Sequence, residues 1–157
     1  MEKLNSIIFY NIDKAIRSYR NYAQRQLKAN GFTITIDQWL IIKAVLENPG
    51  ITQNEIGDLV FKDNASVTRI IDLMVKSAYV IRTTHAEDRR KTNLEVTESG
   101  IKIIKDVQKL VEGNRKTALQ NVSKEELEIM NNALLKISEN CKNIKKQTQW
   151  PDYFHSY

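Results

Sequence analysis

Apolar residues recur every three or four positions over most of this chain, and in one short region that rhythm gives way to two β-prone runs. Over residues 4–29, Leu4, Ile7, Ile8, Ile12, Ala15, Ile16, Tyr19, Ala23 and Leu27 form a helical stripe. Asn30-Gly31 closes it, because glycine accepts the left-handed backbone that ends helices. Such a helix is about 40 Å long at about 1.5 Å per residue. That is long for a small globule, so part of the stripe is expected to pack on another chain. A second helix is predicted over 37–47, with Trp39, Leu40, Ile42, Ala44, Val45 and Leu46 as apolar contacts and Pro49-Gly50 as its breaker.

Thr52-Gln53-Asn54-Glu55 spells a capping box, which satisfies two orphan backbone donors at a helix start. The short helix that it opens, over 53–60, is expected to turn Ile56, Leu59 and Val60 inward. After a turn at Lys62-Asp63, residues 64–76 place Val67, Ile70, Ile71 and Met74 on one face, with Ala65, Ser66, Arg69 and Asp72 opposite. Val80–Thr84 and Thr92–Val96 are β-prone runs around a charged tip, His85-Ala86-Glu87-Asp88-Arg89-Arg90-Lys91, which predicts a β-hairpin. Thr97-Glu98-Ser99-Gly100 starts a long helix striped by Ile101, Ile104, Val107, Leu110 and Val111. A second capping box, Ser123-Lys124-Glu125-Glu126, starts the last. There Leu127, Met130, Leu134, Ile137, Cys141 and Ile144 follow a near-heptad seam, on which Cys141 is expected to be a buried, inert thiol. The aromatic tail, Trp150 to Tyr157, is expected to dock on a partner subunit.

The fold class that follows is mainly α with a small β-hairpin. A helix-turn-helix followed by a hairpin has the order of a winged helix, so residues 37–97 form a winged helix-turn-helix lobe. Residues 1–30 and 98–157 flank it as dimerisation helices, and 1–157 makes one domain. The chain is 41% hydrophobic, enough for a core without disulfides or metals, and its single cysteine permits no internal disulfide. No leader pattern and no run of about 20 apolar residues stands out, so a cytoplasmic location and no membrane partner are expected.

Charge sharpens where binding must be concentrated. The net charge is +5 and the pI about 9.3, yet residues 52–97 hold seven basic and seven acidic side chains. Bulk charge therefore favours a polyanion only slightly, and placement of the arginines carries the argument. A recognition helix needs an anchored apolar face and a small or polar face free for the major groove of double-stranded DNA. In residues 64–76, Ala65 and Ser66 allow close approach, Arg69 reaches guanine or a phosphate, and Asn64 and Thr68 serve phosphates or bases. An arginine on a thin hairpin suits the narrow, electronegative minor groove. The candidate DNA-binding set is Thr52, Asn64, Ala65, Ser66, Thr68, Arg69, Arg82, Arg89 and Arg90, with Asp88 beside them.

These segments resemble the MarR family of transcription regulators. Residues 63–74, DNASVTRIIDLM, resemble its recognition-helix segment. Asp88-Arg89-Arg90, followed by Leu94-Glu95-Val96-Thr97-Glu98-Ser99-Gly100, resembles its wing signature, D-x-R then L-x-x-T-x-x-G. The resemblance implies that Asp88 braces the wing and that Arg90 enters the minor groove. It also implies an obligate homodimer of the first and last helices, and a repressor reading a pseudo-palindrome. One departure is visible: the family has glycine at the turn into the wing, and this chain has Lys76-Ser77-Ala78-Tyr79. Alanine tolerates the left-handed conformation poorly.

Family members answer to small aromatic acids or phenols, to thiol oxidation or to zinc. Residues 4–29 contain no cysteine, and His85 and His155 form no ligand cluster. An aromatic or phenolic effector, or none, remains, with no metal and no cofactor. Tyr10, Tyr19, Tyr22 and Trp39 are candidates for lining a pocket, although helical spacing favours core packing for each. An enzyme is disfavoured, since no nucleophile–base pair or phosphate loop is visible. The alternative function is a helical dimeric protein-interaction adaptor with weakened or lost DNA binding. Phosphate contacts make affinity salt-dependent, and that separates the two.

Overall fold

The computed structural model describes residues 3–84 and 92–143. The chain forms two compact units, Met1–Ala118 and Leu119–Tyr157.

In the first unit a 3₁₀ turn, Leu4–Ser6, leads into helix α1, Ile8–Ala29, which ends at Asn30 and the left-handed Gly31. At about 1.5 Å per residue α1 is about 33 Å long. Only Ala23 and Leu27 of its stripe are buried, whereas Leu4, Ile8, Phe9 and Ile16 are exposed. Caps then place the helix starts. Helix α2, Ile36–Glu47, begins at Thr35, whose hydroxyl accepts the Gln38 N–H at 3.2 Å while Gln38 Oε1 accepts the Thr35 N–H at 2.9 Å. That capping box makes burial of Gln38 tolerable. Helix α3, Gln53–Val60, opens on the Thr52–Glu55 box read from the sequence. It stops at Phe61, which is left-handed and 92% exposed. Leu59 was expected inward and is 52% exposed. Ile56 and Val60, one turn apart, take the core face of so short a helix, and Leu59 falls outside it. Leu46 of α2 is likewise exposed.

Helix α4, Asn64–Lys76, is capped by Asp63, whose carboxylate accepts the Ser66 N–H and hydroxyl, each at 2.8 Å. Strands β1, Val80–Thr84, and β2, Thr92–Val96, pair antiparallel in the register Val80↔Val96 to Thr84↔Thr92. Both strands have the bounds of the β-prone runs. Helix α5, Glu98–Ala118, closes the unit. Of its expected stripe Val107 is fully buried and Ile101 exposed. The core joins Leu27, Ile34, Ile41, Ile42, Val45, Ile56, Val60, Val67, Ile71, Met74, Val80, Leu94 and Val107. Of the four aromatics for which core packing was favoured, Trp39 packs against this core, Tyr19 and Tyr22 are half-buried and Tyr10 is exposed.

The root of the hairpin explains the L-x-x-T-x-x-G spacing. Leu94 is buried in the core. The Thr97 hydroxyl donates to the Ala78 carbonyl at 2.5 Å and accepts the Gly100 N–H at 3.0 Å, while the Thr97 N–H reaches the Tyr79 carbonyl. Gly100 packs so tightly there that a Cβ would collide with the Tyr79 carbonyl oxygen and lie 2.7 Å from Val96 Cγ1. Ala78 takes φ +55°, so the left-handed turn into the hairpin persists without glycine.

In the second unit, helix α6, Lys124–Asn143, begins with the predicted box: the Ser123 N–H donates to Glu126 Oε2 at 2.7 Å, and the Glu126 N–H to Ser123 Oγ at 3.1 Å. Its described residues include no buried one, and Ile129, Met130 and Leu135 are exposed. Cys141 is exposed as well, which corrects the buried thiol expected from the seam. A helical seam buries its residues only when something covers it. Ile144 and the aromatic tail lie outside the described residues. Among those residues no helix is long and apolar enough to cross a membrane.

Candidate nucleic-acid interface

Asp63 and the apolar face of α4 fix the orientation of that helix. Val67, Ile71 and Met74 are buried in the core and Ile70 half-buried, which leaves Asn64, Ala65 and Arg69 exposed on the other side. Arg69 takes part in none of the ion pairs among the described residues. Its guanidinium is therefore available for a base edge or a phosphate. Ser66 is half-buried, and its hydroxyl and N–H are both spent on Asp63. The backbone N–H of Ser66, and then its hydroxyl, hold the Asp63 carboxyl below the usual carboxylate range.

Thr52, Thr68 and Arg82 come together on an open cleft of about 550 Å³ between the two helices and the hairpin, with Gln53, Asn54 and Asn93 as further polar walls. Thr52 is occupied as a cap: its hydroxyl donates to Glu55 Oε2 at 2.7 Å and its N–H to the same oxygen at 2.8 Å. Those two bonds, the hydroxyl first, also lower the Glu55 pKa. Arg82 Nη1 lies 2.7 Å from Asp72 Oδ1. Its charge was expected to add positive potential to the hairpin, and Asp72 of α4 offsets it instead. The pair ties the hairpin to α4. Asp88, Arg89 and Arg90 lie outside the described residues.

A second ionic cluster reaches the turn ahead of α4. Asp37 accepts from Arg20 of α1 through Oδ1 and from Lys62 through Oδ2, the latter at 3.0 Å. Of the positive groups near α4, Lys62 and Arg82 are thus both engaged, whereas Arg69 and Lys76 of α4 itself enter none of the ion pairs among the described residues. Among the described residues there is no group of His, Cys, Asp and Glu able to hold a metal ion.

Comparison with known proteins bears on this geometry. The MarR family profile matches residues 30–91, the span from the end of α1 through the hairpin tip. Over that span the chain is similar to the MarR family. The matched span and the fold are those of DNA-binding transcriptional regulators of winged helix-turn-helix architecture. The chain is 29% identical over 112 residues to the HTH-type transcriptional regulator SarZ of Staphylococcus epidermidis, covering 71% of this chain and 69% of SarZ. Its fold matches the S. aureus MepR–DNA complex with TM-score 0.74 and 20% identity, over 88% of this chain and 99% of MepR. Bordetella bronchiseptica BpsR, described with regulation of its DNA binding by 6-hydroxynicotinic acid, matches with TM-score 0.79 and 14% identity, over 88% and 97%.

Three features of the interface escaped the sequence reading. Asp63 caps α4, and an aspartate just before a small-residue helix start signals as much. Asp72 was placed on the polar face of α4, but a partner on β1 cannot be read from spacing. Gln53, the first residue of α3, meets Thr68 fifteen positions later. No local pattern foretells that contact.

Proposed function

We propose that this regulator binds pseudo-palindromic double-stranded DNA as a homodimer in the cytoplasm, as a repressor released by a small organic effector. Residues 37–97 are the DNA-binding lobe, and 1–30 and 98–157 carry the dimer contacts. The observation that carries the reading is the split of α4, with its apolar face anchored in the core and with Ala65 and Arg69, which has no ion pair among the described residues, outward. Two such helices on a two-fold axis would meet half-sites about 34–36 Å apart. Asn64, Ala65, Ser66, Thr68 and Arg69 face the major groove, Thr52 and Arg82 flank it, and Arg89 and Arg90, braced by Asp88, reach the minor groove. The exposed apolar positions of α1 and α6 are suited to a second copy. An aromatic acid acts on BpsR, as its description states, and that supports an effector of the same chemistry here.

Arg90→Ala and Arg69→Ala test the assignment in a fluorescence titration on DNA selected by the wild-type protein from a random pool. Each is expected to weaken binding at least about tenfold, as loss of a good base or groove contact does, while the dimer stays folded. Wild-type affinity in both variants would sink it. The adaptor alternative is supported by the neutral balance of residues 52–97 and by the Arg82–Asp72 pair. It predicts either no affinity for DNA or one that does not change with salt.

A further inference from the structure

We propose that Gln53 is the residue through which the helix-turn-helix grips a DNA backbone phosphate, and that Thr68 holds it in position to do so. The inference rests on the DNA-binding reading above and goes beyond the site residues named there. Thr68 has one hydroxyl hydrogen, and it is donated to the Asn64 carbonyl oxygen at 2.8 Å. Its oxygen accepts from Gln53 Nε2 at 2.6 Å. A phosphate oxygen only accepts, so Thr68 has nothing to offer it without breaking the bond to Asn64. The phosphate role expected of Thr68 therefore passes to its neighbour.

Gln53 Nε2 carries two hydrogens, and Thr68 engages one of them. The other, and the Oε1 acceptor, make no bond among the described residues. Gln53 is also the first residue of α3 and lines the cleft between α4 and the hairpin. When the second helix of this motif lies in the major groove, the first crosses the sugar–phosphate backbone. A half-buried amide pinned by one donor, with its second donor at that edge, is preorganised for one phosphate oxygen. The nearby cation, Arg82, is offset by Asp72, so the neutral amide takes the contact.

Wild type, Gln53→Ala, Gln53→Glu, Thr68→Val and the Gln53→Ala/Thr68→Val double variant would be titrated by fluorescence anisotropy. The probes are a duplex selected by the wild type from a random pool and a scrambled duplex of equal composition. A thermal melt accompanies each variant. Gln53→Ala is expected to lose about tenfold on both duplexes, the size of one hydrogen bond to a charged group. The salt slope should not change, because a neutral donor releases no counterion. Gln53→Glu should melt no lower than wild type, since an acid suits the first turn of a helix, and yet bind more weakly than Gln53→Ala. A purely structural role gives the reverse order, with the similarly shaped glutamate binding better than alanine. Thr68→Val should weaken binding about threefold alone and add nothing to Gln53→Ala. Full affinity in Gln53→Ala, a loss confined to one base pair, or additive losses would overturn the proposal. A wild type that binds neither duplex would sink the DNA-binding reading and this inference with it. Wild-type binding with undiminished variants sinks this inference alone.

Discussion

The lobe built by α2, α3, α4 and the hairpin closes its core within one chain, whereas α1 over its first half and α6 leave theirs open. Ile41, Ile42, Ile56, Val67, Met74 and Val80 are fully buried in the lobe. Leu4, Ile8, Phe9 and Ile16 on α1, and Ile129, Met130 and Leu135 on α6, carry apolar side chains of similar size and remain exposed. Composition does not separate the two regions; coverage by other elements of the same chain does. A reading head that must hold α4 rigid is self-sufficient, and helices that would join two copies are complete only in a pair.

The largest expected effect separates the regions by stability. Ile41→Ala should cost about 2–5 kcal/mol in chemical denaturation, because the side chain leaves a cavity in a packed core. Leu135→Ala, at 60% exposure, should change the unfolding of the dilute monomer by less than about 0.5 kcal/mol. Equal costs would erase the distinction. Next in size is Gly100→Ala, where the added Cβ meets the Tyr79 carbonyl oxygen and Val96. A loss of about 1–3 kcal/mol is expected from that overpacking, together with a shifted hairpin root visible in NMR spectra. An unperturbed hairpin would contradict the role given to the T-x-x-G spacing.

A charge placed on α6 sharpens the contrast from the other side. Leu135→Asp should leave the melt of the lobe within about 0.5 kcal/mol of wild type and shift sedimentation from dimer to monomer. A dimer of unchanged mass would remove α6 from the interface. The smallest effect is the pH response of the α4 cap. The Asp63 carboxyl has its pKa lowered in the folded chain by the Ser66 N–H and hydroxyl. Its contribution is therefore present above the unfolded value of about 3.9 and disappears as pH falls through the lower folded value. Asp63→Asn, which keeps an acceptor, should melt slightly below wild type at pH 7 and converge with it in acid. A gap that widens in acid would reverse the sign assigned here.

How much was legible in the sequence follows from the range of each signal. The hairpin strands are legible to the residue because β-prone runs on either side of a charged stretch are a local signal. The Thr52–Glu55 and Ser123–Glu126 boxes were readable for the same reason, and the Thr35–Gln38 box, equally local, was passed over. Leu59 was misplaced because a two-turn helix has too few residues to define its face. Cys141 was misplaced because a seam predicts burial only if a second helix covers it. The site was half legible. Arg69 and the small face of α4 follow from helical period, but the Asp72–Arg82 and Gln53–Thr68 contacts depend on tertiary placement. The tip arginines, Arg89 and Arg90, rest on pattern and resemblance alone.

The central claim is that α4 of two protomers reads one duplex, with affinity that depends on phosphate contacts. A titration of the wild-type protein on its selected duplex, followed by fluorescence anisotropy over a salt series, tests this most directly. The account predicts saturation at two protomers per duplex and a linear fall of log affinity with log salt, at roughly −0.9 per phosphate neutralised. Saturation at one protomer, or an affinity that salt leaves unchanged, would contradict it.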